Sequence, residues 1–301
     1  MNPTPAIAPM TAATLTPPRA VVDGIGLSIS DEDYLRFREY FYRETGIYFE
    51  NGKRYFVDRR LLERIRLTGS DSFHDYFLFL RFQDRGEEMQ ALVNAMTVNE
   101  TYFFREEYQF RCMVRDLLGD LRSRRREGET LRIWSLPCSS GEEPYSIAMY
   151  LLERWPAIDQ VDVEIIGSDI DSRILAQARE GLYQKRALMQ LPTSLQQRWF
   201  KPQADGQFRI DDGLRESVRF TRLNVTDPLQ MAAFHDIDLV FCRNLLIYFD
   251  EASRRKAVDL IFEAMRPGAY ICLGHSESMS RISPLFKVRK FADAIVYQKP
   301  L

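Results

Sequence analysis

The sequence of 301 residues has little of what marks several large classes of protein. It holds three histidines and four cysteines. The cysteines, which are Cys112, Cys138, Cys242 and Cys272, lie far apart, without the paired spacing of zinc sites or disulfide frameworks. We therefore expect reduced, mostly buried thiols and no bound metal. Basic residues (41) nearly balance acidic residues (43), so bulk charge gives no sign of a nucleic-acid or membrane-surface partner.

Long apolar runs are also missing. No stretch approaches the roughly 18 to 20 residues that span a bilayer, and the first residues lack the basic and apolar regions of a secretion signal. We expect a cytoplasmic protein, without direct membrane insertion, that acts as a monomer. With 45% hydrophobic residues, the chain can bury one large core, or a large and a small one.

The first part of the chain divides into a tail and a helical region. Residues 1–28 are rich in proline, alanine and threonine and have no periodicity, which predicts a flexible tail. At Ser30 an N-cap residue is followed by acids and then by aromatic residues at helical spacing. Three more helical patterns follow, so the sequence predicts an all-helical domain over residues 29–95.

From Leu131 onwards, short apolar runs alternate with helical patterns. This alternation predicts an α/β domain over residues 96–301, with a doubly wound, mostly parallel sheet. One longer stretch, 181–216, contains QFRI and the turn residues DDG, and it predicts an inserted antiparallel hairpin subdomain, whose strands are placed at about 200–218. The helix that begins at 251 is expected to end at Pro267 and Gly268.

The loop after the first predicted strand is a candidate binding loop. The segment SLPCSSGEEPYS (135–146) is a turn of small residues that leads into a helix. In a doubly wound fold the ligand lies beyond the carboxyl ends of the strands. The loop lacks the G-x-G-x-x-G spacing, and Glu142 and Glu143 would repel a phosphate at the start of the helix. This argues against NAD, FAD and nucleoside triphosphates and favours a ligand without phosphate.

The second predicted strand ends in GSDID (167–171), which places Asp169 where such folds hold a ribose through its hydroxyls. S-adenosylmethionine contains an adenosine, a sulfonium cation and an amino acid end but no phosphate, so acidic loops suit it. The alternative interpretation is that Asp169 and Asp171 only cap the next helix.

Five segments resemble, in order, the motifs of the CheR family of methyltransferases. They are NETYFFRE (99–106), SSGEEPYSIA (139–148), GSDID (167–171), FCRNLLIYFD (241–250) and LGHSES (273–278). With the helical region before them, the resemblance covers roughly residues 30–298. It implies a class I methyltransferase core with a small N-terminal all-helical domain and an inserted antiparallel hairpin subdomain.

The resemblance also implies an activity. Members of this family transfer the methyl group of S-adenosylmethionine to glutamate side chains of methyl-accepting chemotaxis receptors, for adaptation in chemosensory signalling. The products would be glutamate methyl esters and S-adenosylhomocysteine. A glutamate carboxylate is already ionised at pH 7, so it can attack the methyl group without a metal or a strong base. The protein would have to supply alignment and exclude water.

Individual roles follow from the same resemblance. The residues expected to contact the cofactor are Asn99, Thr101, Arg105, Glu143, Asp169, Asn224, Val225, Arg243 and Asn244. Asp169 would hold the ribose, and Asn224 and Val225 would border the adenine. Glu143 would lie near the methionine end, although the resemblance leaves open whether Glu142 makes that contact instead.

Arg105 and Tyr248 are the expected catalytic residues. By the resemblance, Arg105 would position or screen the incoming carboxylate, and Tyr248 would fix the surroundings of the methyl group. Considered without the resemblance, Arg105 could equally form a surface ion pair with Glu106 or Glu107, and Tyr248 could pack in the core.

The segment KRYFVDRRLLERIR (53–66) carries six basic and two acidic residues. A basic helix can be a solvated face, but the resemblance suggests that it docks onto the acidic cytoplasmic helical bundle of a receptor. The docking residues would be Lys53, Arg54, Arg59, Arg60 and Arg64. Some family members also bind a receptor tether peptide at the hairpin. The turn region 201–210 is compact with a single glycine, so we expect recognition without a tether.

Two other functions are compatible with the fold. A methyltransferase for nucleic acid or small molecules would favour a broad basic cleft, which the balanced charge disfavours. A non-catalytic receptor-binding module would have no need for a complete cofactor site, yet Arg105, Asp169, Asn244 and Tyr248 are all present.

Overall fold

The computed structural model describes residues 28–126 and 128–301. The flexible tail predicted for residues 1–28 lies outside these ranges, apart from Ser28. No helix of the described residues is long and apolar enough to cross a membrane.

Four helices form the N-terminal region: α1 (Asp31–Thr45), α2 (Arg54–Leu67), α3 (Phe73–Phe82) and α4 (Glu87–Met96). The N-cap expected at Ser30 is present as a capping box. Ser30 Oγ accepts the Asp33 N–H at 3.1 Å, and the Asp33 carboxylate accepts from the Ser30 backbone. The apolar faces of the four helices share one core, in which Phe37, Phe41 and Tyr76 are fully buried.

The described residues after α4 contain ten strands. They are β1 (Leu131–Ser135), β2 (Val163–Asp169), β3 (Leu182–Tyr183), β4 (Phe200–Pro202), β5 (Phe208–Ile210), β6 (Val218–Arg222), β7 (Ile237–Cys242), β8 (Met265–Leu273), β9 (Lys287–Lys290) and β10 (Ile295–Gln298). Seven strands form one sheet in the order β6-β2-β1-β7-β8-β10-β9. The first five are mutually parallel, and β10 runs antiparallel to both its neighbours. The predicted doubly wound, mostly parallel sheet is confirmed, and its strand order reverses between β1 and β7.

The remaining helices are α5 (Glu107–Cys112), α6 (Leu118–Ser123), α7 (Glu142–Arg154), α8 (Ser172–Glu180), α9 (Thr193–Trp199), α10 (Asp212–Glu216), α11 (Pro228–Met231) and α12 (Glu251–Ala264). Alternate residues of the strands enter two separate cores, one on each face of the sheet. Ile133 of β1 belongs to the first core and Trp134 to the second. All four cysteines are buried and free, as the sequence predicts.

The inserted subdomain differs from the prediction in its bounds. It is a three-stranded antiparallel sheet in the order β3-β5-β4, so it begins at Leu182 rather than near 200. The DDG residues do not form its turn. Asp211 instead caps α10, accepting the Gly213 and Leu214 N–H groups at 3.0 and 3.3 Å. Val218, placed in the insertion by the prediction, belongs to β6 of the main sheet.

The end of α12 also differs. The helix stops at Ala264, and Pro267 and Gly268 lie inside β8. The pairing of β7 with β8 shifts register after Ile237, so Pro267 lies between the paired residues Met265 and Tyr270. At such an irregularity the strand does not need the N–H group that proline lacks. Gly268 has a φ of +79° in the same irregularity.

Candidate functional site

A cavity of about 770 Å³ lies between the N-terminal helices and the carboxyl ends of the parallel strands. All ten residues that the sequence assigned to cofactor binding or catalysis line it: Asn99, Thr101, Arg105, Glu143, Asp169, Asn224, Val225, Arg243, Asn244 and Tyr248. Their joint position at the sheet's switch point is where a doubly wound fold binds its ligand. The individual roles of these residues stay predictions.

The loop between β1 and α7 forms one wall. It turns through Gly141, whose φ of +93° and surroundings exclude a side chain, because a Cβ there would lie 2.9 Å from Tyr145. Glu143 faces the cavity and accepts the Ser135 hydroxyl at 2.7 Å. Burial raises the pKa of the Glu143 carboxyl, and the nearby Arg243 guanidinium opposes that rise. The loop therefore presents a buried acid where a phosphate-binding loop would present backbone N–H groups.

Glu142 points away from the cavity. It is 4% exposed and accepts the Ser140 hydroxyl at 2.6 Å. Burial raises the pKa of its carboxyl to about 7. Of the two adjacent acids, Glu143 is thus the one that lines the cavity.

Asp169, the last residue of β2, and Asp171, just after it, have separate roles. Asp169 lines the cavity and accepts the Ser139 and Asp171 N–H groups at 2.9 and 3.0 Å, and burial raises the pKa of its carboxyl to about 6. Asp171 Oδ1 caps α8 by accepting the N–H groups of Arg173 and Ile174. The helix-cap interpretation holds for Asp171 and not for Asp169.

The segment between the two domains forms the next wall. Asp171 Oδ2 accepts the Thr97 hydroxyl at 2.6 Å and the Asn99 amide at 2.9 Å. Further along, Phe103 and Phe104 are buried in the core of the methyltransferase domain, which anchors the other end of the segment. The segment is therefore fixed by one carboxylate at its start and by apolar packing at its end.

Arg243 is the most connected cation of the site. It is 5% exposed, its Nη1 lies 3.0 Å from Glu143, and its Nη2 donates to the Arg105 carbonyl at 2.6 Å. Glu106 lies 3.4 Å from the same guanidinium. Glu106 thus pairs with Arg243, and the surface ion pair considered for Arg105 is not formed. Instead, Arg105 Nη1 donates to the Glu100 carbonyl at 2.9 Å.

Tyr248 lies on the loop that follows β7 and is 36% exposed at the cavity. Its carbonyl accepts the Tyr48 N–H at 3.1 Å, and Ile47 forms an antiparallel bridge with Phe249. Burial raises the pKa of the Tyr248 phenol, so it is neutral at pH 7. The N-terminal domain is therefore hydrogen-bonded to the backbone of this loop, and the core-packing alternative for Tyr248 does not hold.

Sequence reasoning missed the wall that the N-terminal domain contributes. Its residues at the cavity include Thr45, Ile47, Tyr48, Phe49, Phe56 and Met96. Gly46 ends α1 with a φ of +74°, and a Cβ there would lie 2.7 Å from Thr226 of the other domain. The glycine is visible in the sequence as a helix end. Its contact with the second domain is not, because nothing local signals which surface a helix end meets.

The predicted docking residues fall into two groups. Lys53 and Arg59 are exposed at the start and the middle of the α2 region. Arg54 is buried and pairs with Asp31 at 2.6 Å and with Asp58 at 3.2 Å. Its assignment to the docking surface is therefore wrong, because its guanidinium is committed to the interior of the domain.

Arg60 and Arg64 are partly buried and have intramolecular partners. Arg60 Nε donates to the Ala95 carbonyl at 2.6 Å, and Arg64 lies 2.5 Å from Glu88. Both side chains fix α2 against α4. Of the five predicted docking residues, Lys53 and Arg59 are the two whose side chains are exposed to solvent.

Comparison with known proteins finds matches to both domains of the chain. Residues 32–97 match a sequence model described as CheR methyltransferase, all-alpha domain, and residues 99–295 match CheR methyltransferase, SAM binding domain. A chemotaxis protein methyltransferase 2 of Vibrio cholerae is 54% identical over 272 residues, 90% of this chain and 94% of the relative. One from Pseudomonas aeruginosa is 38% identical, over 85% of this chain and 90% of the relative. The chemotaxis protein methyltransferase of Escherichia coli is 34% identical, over 87% and 90%.

The doubly wound sheet, with acids rather than a phosphate loop at its switch point, defines an S-adenosylmethionine-dependent methyltransferase of class I. The chain belongs to the CheR methyltransferase family, which confirms the resemblance found in the motifs. Within the described residues, no group of three or more histidine, cysteine, aspartate or glutamate side chains could hold a metal ion.

Proposed function

We propose that this enzyme methylates glutamate side chains in the cytoplasmic helical bundle of chemotaxis receptors and so serves adaptation in chemosensory signalling. The observation that carries the proposal is that Arg105 and Tyr248 both line one cavity. Throughout residues 28–126 and 128–301, no carboxylate forms an ion pair with Arg105, and Tyr248 is a partly exposed, neutral phenol. A guanidinium without a carboxylate partner, at the same cavity as a neutral hydroxyl, suits an incoming carboxylate.

The buried charges of the cavity fit S-adenosylmethionine. The Glu143–Arg243 pair presents an anion and a cation 3.0 Å apart, which matches the ammonium and carboxylate groups of an amino acid end. Asp169, with two backbone N–H groups already bound, keeps acceptor capacity for ribose hydroxyls. Arg243 Nε is buried without a hydrogen-bond partner among the described residues, which leaves one donor for a ligand.

The chain's own residues prepare the acceptor carboxylate. When bound, S-adenosylmethionine supplies an electrophilic methyl group. Arg105 orients the glutamate by a charge-assisted hydrogen bond, and the Tyr248 hydroxyl fixes the position of the reacting groups. The apolar wall of Ile47, Phe49 and Phe56 excludes water, which would otherwise solvate the carboxylate and slow its attack.

Receptor docking is assigned to the exposed cations of α2 and of the turn before it. Lys53 also lines the cavity, so the basic surface reaches the site itself. A bundle docked along α2 would bring its glutamates to Arg105. The hairpin β4–β5 is short, with its turn at residues 203–207, and we keep the expectation that receptors without a tether peptide are substrates.

Transfer of labelled methyl from S-adenosylmethionine to receptor-containing membranes tests the proposal. We expect label in the receptor that is released by mild base, as a glutamate ester requires, and an undiminished rate on receptors shortened at the C-terminus. Tyr248→Phe should lower kcat about 10- to 100-fold while cofactor affinity stays within threefold. Tyr40→Phe, on α1 and away from both the cavity and α2, is the matched control. Base-stable label, or label in nucleic acid alone, would refute the proposed acceptor.

A further inference from the structure

The loop from Arg243 to Asp250 contributes seven residues to the cavity, among them the predicted site residues Arg243, Asn244 and Tyr248, yet it lies outside any strand or long helix. It contains one 3₁₀ turn, Leu246–Tyr248. Asn244 has a φ of +58°, a conformation that costs a non-glycine residue about 1–3 kcal/mol and persists only where the surroundings impose it. The backbone groups of such a loop need partners from elsewhere in the protein.

Glu277 supplies the acceptors. Its Oε2 accepts the N–H of Asn244 at 2.8 Å and that of Gly274 at 3.0 Å, and its Oε1 accepts the N–H of Leu246 at 2.8 Å. One carboxylate therefore joins the loop after β7 to the loop after β8. Gly274 makes this approach sterically feasible, because a Cβ there would lie 3.1 Å from the Asn244 backbone nitrogen.

Arg254 of α12 supplies the donors. Its Nε donates to the Leu246 carbonyl at 3.0 Å and its Nη2 to the Phe249 carbonyl at 2.9 Å. The carboxylate of Glu277 thus binds the N–H groups of Asn244 and Leu246, and the guanidinium of Arg254 binds the carbonyls of Leu246 and Phe249. Together the two side chains hold the backbone of the loop through both its donors and its acceptors.

We propose that Glu277 is a positioning residue for methyl transfer, which holds the loop of Asn244 and Tyr248 in its productive conformation. The inference rests on the proposed function, since it assigns to Glu277 an effect exerted through Tyr248. Glutamine at this position has one acceptor oxygen, and its NH₂ group would face a backbone N–H. Glu277→Gln therefore keeps the volume of the side chain but removes part of the hydrogen bonding between residue 277 and the loop.

The kinetic test compares Glu277→Gln with Glu251→Gln, which makes the same change at an exposed residue paired with Arg255. We expect Glu277→Gln to lower kcat about 10- to 100-fold and to raise the Kd for S-adenosylhomocysteine by a much smaller factor, since of the expected cofactor contacts it loosens only that of Asn244. In the Tyr248→Phe background, Glu277→Gln should lower kcat by a much smaller factor, because both variants remove the same contribution, that of the Tyr248 hydroxyl. Fully additive effects, or a parallel loss of affinity and folded protein, would overturn the proposal.

Hydrogen exchange separates this inference from the proposed acceptor. In the complex with S-adenosylhomocysteine, the amides of Asn244 and Leu246 should exchange faster in Glu277→Gln than in the wild type, and at the wild-type rate in Glu251→Gln. If the wild type does not methylate receptors but the two amides exchange faster in Glu277→Gln, the proposed acceptor is wrong, while the role of Glu277 in holding the loop is supported. Unchanged exchange at both amides would refute the role of Glu277.

Discussion

At the scale of single residues, neighbours in the sequence have different environments. Glu142 and Glu143 both begin α7, but Glu143 lines the cavity and Glu142 is buried behind it. The sequence places both at the start of a helix and cannot distinguish them, because successive helical side chains point about 100° apart and only the packing of α7 sets its rotation. The same limit applies to Glu277, whose role depends on a backbone turn distant in sequence.

Because the Glu142 carboxyl is buried, we expect the free energy of unfolding to depend on pH. Its pKa of about 7 lies above the ordinary value of 4.5, so its contribution to stability is complete below pH 4.5 and is lost as the pH rises through 7. Glu142→Gln should therefore stabilise the protein by about 2–3 kcal/mol above pH 8 and by almost nothing at pH 4. Thermal unfolding at several pH values measures this difference.

Glu216→Gln provides the control, since Glu216 is an exposed residue of α10. Its effect on the unfolding temperature should be small. If Glu142→Gln gave a constant difference from pH 4 to pH 9, the carboxyl would not titrate in this range and the assignment would fail.

At the scale of elements, the sequence predicts what local pattern determines. The capping residue before α1, the apolar runs of the parallel strands and the four N-terminal helices follow from periodicity and capping. The failures occur where a local signal has two meanings. DDG serves as a helix cap at α10 instead of a hairpin turn, and Pro267 lies in a strand irregularity instead of ending a helix.

Asp171 joins two elements, and its substitution should separate two effects. Asp171→Asn keeps an oxygen to cap α8 but places an NH₂ group against the Asn99 amide, so it should weaken binding of S-adenosylhomocysteine about 3- to 10-fold with little loss of stability. Asp171→Ala should lose a further ~1 kcal/mol of stability with the cap. Calorimetric titration and thermal unfolding measure the two quantities.

Asp211→Asn is the matched control, because Asp211 caps α10 with the same geometry and does not line the cavity. It should leave cofactor affinity unchanged. Equal affinities for Asp171→Asn and the wild type would show that the link to Asn99 has no part in binding.

At the scale of the whole molecule, both domains build the site. The motifs predict which methyltransferase residues gather at the strand ends, because a doubly wound sheet fixes that edge. They do not predict that the N-terminal helices close the cavity, since domain docking depends on surface shape. Charge counting likewise included Arg54 in the docking surface, although its partners Asp31 and Asp58 hold it inside.

Docking through α2 predicts a charge effect on receptor affinity. Arg59→Glu should raise the KM for receptor about 5- to 10-fold, with the Kd for S-adenosylhomocysteine unchanged, and the difference should shrink as ionic strength rises. Lys287→Glu makes the same change in charge on the exposed strand β9 and should have little effect on the KM for receptor. Methylation rates at several receptor and salt concentrations provide the measurement. Equal effects of the two substitutions would exclude a docking role specific to α2.

The bridge between Ile47 and Phe249 limits how this enzyme could be retargeted. A chimera joined at the segment near residue 97 would bring a foreign helical domain, and with it foreign partners for the backbone of Tyr248. Such an exchange would alter catalysis along with receptor choice. A graft that changes specificity alone would have to leave residues 45–50 with the methyltransferase domain and replace only the outward face of α2.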